Sequence, residues 1–186
     1  MVGFHKPRTL AEALALLAAD AEARPVSGGQ TLVPMMNLDL FRPSAIVSLN
    51  AVDELCGIAA DAAGTVRIGA RATHAELAAS TVFAAGQRLI PRAAAQIAHP
   101  AVRHAGTIGG SCAHGDPAAD WPVALCAAGA SIEIASPGGR RLVAAVDFFR
   151  QFLTTALEPG ELVTAIIVPP LPGNGVYRKF SRVDGD

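Results

Sequence analysis

Adjacent glycines occur twice where the chain changes character, at Ser27-Gly28-Gly29-Gln30-Thr31 and at Gly106-Thr107-Ile108-Gly109-Gly110-Ser111. The first lies between a strand-like run and a helix start, and the second lies just before another helical stretch. Glycine pairs accept positive φ and let backbone N–H groups converge, while a following helix start adds partial positive charge, so such a turn suits a phosphate. The first turn is neither G-x-x-x-x-G-K-S/T nor G-x-G-x-x-G, which leaves nucleoside triphosphate hydrolysis and a Rossmann dinucleotide site without support. Alone it is also what any tight strand-to-helix turn looks like. The pair is more informative, because two such turns, one per lobe, can grip a pyrophosphate from both sides, each donating backbone N–H groups.

These turns sit among 18 Gly and 13 Pro in 186 residues that are 51% hydrophobic and 17% charged. That composition excludes a disordered chain and allows one sizeable domain or two small lobes. The longest run without a charged side chain, residues 162–177, contains Pro169, Pro170, Pro172, Gly173 and Gly175, so it reads as a strand entering a turn and not as a membrane span. Fifteen basic against sixteen acidic residues give a charge of −1 and no reason to bind nucleic acid. The N-terminal Met-Val-Gly-Phe-His-Lys-Pro lacks a secretory signal, which points to the cytoplasm. Cys56, Cys112 and Cys126 form no C-x-x-C pair, so neither a disulfide framework nor a self-contained zinc or iron–sulfur site is expected.

Periodicity predicts a helix over 10–19, opened by Thr9 and Glu12 at capping-box spacing, then a strand at 24–27, a helix over 31–38 and a strand at 45–49. With an initial strand, the first fifty residues read as a small parallel β/α/β lobe. A hairpin at 57–60 and 66–69 opens a second lobe near residue 55. There, Thr73 and Glu76 repeat the capping box, a helix is expected over 88–98 before His99-Pro100, and Asp116-Pro117 reads as the cap of a helix through 121–127. Strands follow at 131–135, 141–144, 162–168 and 176–181. Phe148, Phe149 and Phe152 read as loop anchors, and Trp121, Cys126 and the methionines as packing.

Downstream of the second turn, Ala113-His114-Gly115-Asp116-Pro117-Ala118-Ala119-Asp120 offers carboxylates that can accept hydrogen bonds from sugar or ribityl hydroxyls. Asp116 is better explained as a cap, which leaves Asp120 as the candidate. His99, His104 and His114 lack a metal-ligand spacing. Cys112 and His114 would share a face only in an extended segment, and a small buried cysteine is the plainer reading.

Ser-Gly-Gly-Gln-Thr-Leu at 27–32, Val-Arg-His-Ala-Gly-Thr-Ile-Gly-Gly-Ser at 102–111 and Ala-His-Gly-Asp-Pro-Ala-Ala-Asp at 113–120 closely resemble the FAD-binding (medium) subunits of the molybdenum hydroxylase family, which includes the carbon monoxide dehydrogenase medium subunit and the xanthine dehydrogenase FAD domain. The resemblance continues through Asp147-Phe148-Phe149, Thr154-Thr155-Ala156-Leu157, Pro159-Gly160-Glu161-Leu162 and Tyr177-Arg178-Lys179. It implies an α+β, two-lobed FAD-binding fold of the vanillyl-alcohol oxidase / p-cresol methylhydroxylase type. A small βαβ lobe (1–54) would join a larger lobe with a mixed or antiparallel sheet (55–186). Family members normally continue past residues 182–186 into a small C-terminal domain, which is absent from this sequence.

By the same resemblance, FAD is held non-covalently with Val26, Ser27, Gly28, Gly29, Gln30, Thr31 and Leu32 around the pyrophosphate and Thr107, Ile108, Gly109, Gly110 and Ser111 approaching from the other lobe. Ala98 would line the cleft, Asp120 bind a flavin-chain hydroxyl, Leu162 lie against the adenine and Lys179 stand near the flavin. His104 replaces the usual Asn of the second loop. The implied activity is that of an FAD-dependent oxidoreductase subunit with no catalytic side chain and no metal of its own. Electrons would come from a large molybdenum subunit, carrying the molybdopterin cofactor, through 2Fe-2S clusters on a small subunit, and leave to NAD, oxygen or a quinone. An isolated nucleotide-binding module without redox activity and a self-sufficient flavin oxidase are the alternatives.

Overall fold

A computed structural model describes residues 2–180 of the chain. Strands β1 (Gly3–His5), β2 (Arg24–Val26) and β3 (Ala45–Ser48) form a parallel sheet in the order β1-β3-β2, crossed over by α1 (Leu10–Ala19) and α2 (Leu32–Asn37). Leu10, Ala13, Leu14 and Leu17 face inward at the helical spacing read from the sequence. Thr9 Oγ1 accepts from the Glu12 N–H at 3.2 Å, but Glu12 Oε2 accepts from the Arg8 N–H and not from that of Thr9, so the reciprocal half of this capping box is displaced by one residue. Helix α2 starts with Pro34 in its first turn, a position that tolerates the missing N–H, and buries none of its side chains.

The larger sheet contains β4 (Ile58–Ala60), β5 (Val66–Gly69), β6 (Ser131–Ser136), β7 (Gly139–Ala144) and β10 (Leu162–Val168). Its order is β4-β5-β10-β6-β7 and every pairing is antiparallel, so the mixed alternative does not arise. Helices α3 (His74–Ala79), α4 (Leu89–Ala95), α5 (Pro100–Ala105), α6 (Ile108–His114) and α7 (Asp120–Ala127) lie between its two hairpins in sequence, and α6 packs on β10. A short α8 (Ala145–Phe148) and the small hairpin of β8 (Phe149–Gln151) and β9 (Thr154–Thr155) complete the described elements. Trp121, Leu125, Ile132, Ile134, Phe148 and Ile166 are completely buried in this core, each worth about 1.5–3 kcal/mol or more in apolar transfer. Ala135 and Leu162 instead join Leu10, Leu17, Val47 and Leu55, so the larger sheet shares apolar packing with the parallel one.

Several elements differ from their sequence reading. The helix expected over 88–98 ends at Ala95, and Ala98 adopts φ 42°, where a right-handed helix cannot continue. Pro100 does not merely follow a helix end, since it opens α5, and the second glycine segment itself forms α6. Helix α7 begins at Asp120 and not beside Asp116, because an earlier start would place Pro122 in the helix interior. Asp116 Oδ1 instead accepts from the Ala118 N–H at 2.8 Å. No strand forms over 176–180, and Ser181, the expected end of that strand, lies outside the described residues. That segment is a strap held on the helices, with the Gly175 N–H donating to Ala85 O at 2.9 Å. Phe148 is buried and meets Phe149 edge-on at 5.1 Å, but Phe152 is 74% exposed and anchors nothing. Among the described residues, no helix is long and apolar enough to cross a membrane.

Candidate functional site

The first glycine turn leaves the carboxyl end of β2, where Gly29 takes φ 68° to reverse the chain. Gly28 is pressed onto the second loop: a Cβ there would lie 2.0 Å from Ala105 O and 2.9 Å from Gly106 Cα. The two turns, separated by some eighty residues, therefore touch. Between β2 and α2, the backbone N–H groups of Gly28, Gly29, Gln30 and Thr31 donate to no other described residue. Ser27 Oγ beside them is buried without a partner, which costs about 1–3 kcal/mol if nothing else binds there. Free amides in series and an orphaned hydroxyl fit an anionic ligand with oxygen acceptors.

The second turn is built differently. Thr107 caps α6 by accepting from the Gly110 N–H at 3.3 Å. The Ile108 and Gly109 N–H groups donate to Ala72 O and Ala70 O, and that of Ser111 to Thr107 O. Apart from that of Thr107, its amides are thus already paired within the chain, so the second turn has far fewer backbone N–H groups to offer a ligand than expected. Gly109 is small because a Cβ would come 2.5 Å from that of Ala70, and Ile108 is completely buried. Gly110 is exposed, and a Cβ there would meet only the Thr107 hydroxyl, at 3.1 Å. The second turn therefore presents an exposed position without a side chain at Gly110.

Asp120, 8% exposed in the first turn of α7, accepts from the Tyr177 hydroxyl on Oδ1 at 2.5 Å and from Lys179 Nζ on Oδ2 at 3.1 Å. Burial, then the bond to Asp120, pushes the Tyr177 phenol well above its ordinary range. Lys179 Nζ also reaches Gln96 O at 3.5 Å, beside the Ala98 corner, whose carbonyl and that of Ile97 accept from Arg103 Nη1 at 2.7 and 2.8 Å. Asp120 is joined to the glycine turns through its neighbour: Trp121 Nε1–H donates to His74 Nδ1 at 3.3 Å, and the His74 N–H donates to Gly106 O at 3.0 Å. Burial, only partly countered by the Asp120 charge and reinforced by Arg103, lowers His74 to about 4. Tyr177 and His74 were missed in the sequence reading. The first could have been found as the one phenol two residues from Lys179, whereas nothing in the sequence distinguishes the second.

Residues 1–171 match the family model for the FAD binding domain in molybdopterin dehydrogenase. The chain belongs to this family. FAD is accordingly the cofactor of the domain. The flavin domain is 41% identical to the carbon monoxide dehydrogenase medium chain of Afipia carboxidovorans over 98% of this chain and 64% of that one. It is 35% identical to the nicotine 6-hydroxylase medium subunit of Paenarthrobacter nicotinovorans over 100% of this chain and 65% of that one. Its fold superimposes on a crystal structure of quinoline 2-oxidoreductase from Pseudomonas putida 86 with a TM-score of 0.94 at 36% identity, covering all of this chain and 65% of that one. The chain thus spans just under two thirds of the length of these relatives.

Within this flavin domain, Val26 and Leu32 are half-buried at the two ends of the first turn, and Gln30 Nε2 donates to Gly28 O at 3.2 Å. Lys179, and not the exposed Arg178, carries the basic contact to Asp120. Leu162 is 4% exposed in the packing shared by the two sheets. Cys112 and His114 lie on α6 and not on an extended segment, and burial pushes the Cys112 thiol far above its ordinary value, so it packs as an inert apolar group. Cys126, expected as core, is half-buried at its edge.

Proposed function

We propose that this chain is the FAD-carrying part of a molybdenum-dependent hydroxylase or dehydrogenase, holding the flavin non-covalently and passing electrons from partner iron–sulfur clusters to an external acceptor. The observation that carries the reading is the row of unsatisfied amides from Gly28 to Thr31 beside the orphaned Ser27 hydroxyl, pressed against a second glycine turn. A pyrophosphate supplies the acceptors those donors lack. Gly110, Thr107 and Ser111 would offer the facing wall, Ala98 the edge of the cleft, and Asp120 a carboxylate with lone pairs left for a hydroxyl beyond its bonds to Tyr177 and Lys179. The bound flavin supplies the redox chemistry, and the protein supplies binding and orientation.

The named relatives include medium chains and subunits of multi-chain oxidoreductases, which supports partners of two kinds, a large molybdenum-binding chain and a small iron–sulfur chain. NAD, oxygen or a quinone would take the electrons. The test is reconstitution: purified chain mixed with FAD and desalted should retain flavin absorbance in equimolar amount, and should be reduced by a hydroxylation substrate only when the partner chains are added. A chain that stays colourless would overturn the assignment. Reduction by substrate without partners would favour a self-sufficient oxidase.

A further inference from the structure

His74 is a buried, titratable side chain that the flavin contacts above do not use. It is the first residue of α3, yet it joins the second turn to α7. Its N–H holds Gly106 O, its ring lies so close to Gly106 that a Cβ there would come 3.0 Å from Cδ2 and Nε2, and its Nδ1 accepts the Trp121 indole proton. Gly106 and Ala105 are in turn the surface on which Gly28 rests. The ring planes of His74 and Trp121 are tilted by 41° with centroids 5.8 Å apart, so the contact is a directed hydrogen bond and not a stack.

We propose that His74 is a positioning residue of the flavin site, whose neutral imidazole, by accepting from Trp121, fixes the Gly106 turn against Gly28 and ties both pyrophosphate turns to the Asp120 carboxylate. The inference rests on the FAD reading for its ligand, but the geometry it describes belongs to this chain alone. An acceptor at Nδ1 requires the proton to sit on Nε2 in the neutral ring. Once a second proton is added, Nδ1–H faces the indole N–H, donor against donor, and the link from α7 to the second turn fails. Asp120 on α7 favours that protonation and Arg103 on α5 opposes it, while burial opposes it most strongly. Asp120 is itself engaged by Tyr177 and Lys179, and Glu76 on α3 is turned to the Thr73 N–H at 2.7 Å.

The sign follows from the lowered value. The unfolded chain takes up the proton near 6.5 and the folded chain near 4, so the folded state is favoured fully above about 6.5 and loses that advantage as pH falls to about 4. His74→Asn keeps an acceptor where Nδ1 stood and cannot titrate. In the apo chain, the Trp121 indole and Gly106 amide resonances of the wild type should titrate with one midpoint near pH 4, and those of His74→Asn should stay flat. With FAD added, the two chains should bind within about threefold of each other at neutral pH, and the wild type should weaken about tenfold more for each pH unit below the midpoint. The same pH dependence in both chains, or an imidazole that carries its neutral-state proton on Nδ1, would overturn the proposal. Should His74→Asn not fold, the wild-type indole titration and the imidazole tautomer decide it. If neither chain binds FAD at neutral pH, the flavin reading fails, and the apo titration still judges His74.

Discussion

A glycine can be demanded by what surrounds it or by what must approach it, and Gly28 and Gly110 separate these demands. Gly28 has no room for a methyl group because the Ala105 carbonyl occupies the space, so Gly28→Ala should unfold at a clearly lower temperature, by a few kcal/mol, and lose FAD as well. Gly110 is exposed and helical, where alanine is the better helix former by about 0.8–1 kcal/mol. Gly110→Ala sets that gain against a 3.1 Å approach to the Thr107 hydroxyl, so it should change the melting temperature far less than Gly28→Ala while weakening FAD binding, measured by flavin fluorescence. Unchanged FAD affinity in Gly110→Ala would remove the second turn from the ligand wall.

At the scale of elements, the caps are the parts with defined costs. Removing the Thr107 hydroxyl frees the Gly110 N–H and should cost about 1 kcal/mol in urea unfolding, as should Thr73→Ala, where the capping box is complete. These caps mark what the sequence made legible. Helix α1, strand β10 and the α3 start were read within a residue because their signals are local: apolar spacing, a run of branched residues and a Thr-x-x-Glu pair. Helices α5 and α6 were missed because each is a short segment of six or seven residues that carries Pro100 or Gly109-Gly110, with weak periodicity, and is held by contacts to Ala70, Ala72 and His74. For the same reason, the first turn's free amides and the second turn's largely paired ones look alike in sequence. Which carbonyl lies opposite an N–H is decided by chain some thirty-five residues away, and no spacing rule reports it.

At the scale of the whole molecule, one buried amide gathers the point where β10 passes into the strap. Gln87 Nε2 faces the carbonyls of Gly64, Val168 and Pro169, and its Oε1 accepts from the Ala84 N–H at 3.1 Å. Gln87→Leu would leave these groups unpaired and should cost about 3 kcal/mol or more, read as a lower urea midpoint. Loosening of the strap should also reduce FAD retention, because Tyr177 and Lys179 hang from it.

Strand β10 has a consequence for how the molecule is made. It is the last strand of the larger sheet to leave the ribosome, yet it occupies the centre, between β5 and β6. The β4-β5 and β6-β7 hairpins each pair close neighbours in sequence and can form early, but they have no common edge until β10 arrives. Lys179 emerges later still, so the Asp120 cluster closes after the sheet. During synthesis the chain passes through a stage with two open hairpins and an unfinished cofactor site, and flavin capture has to wait until residue 179 has emerged.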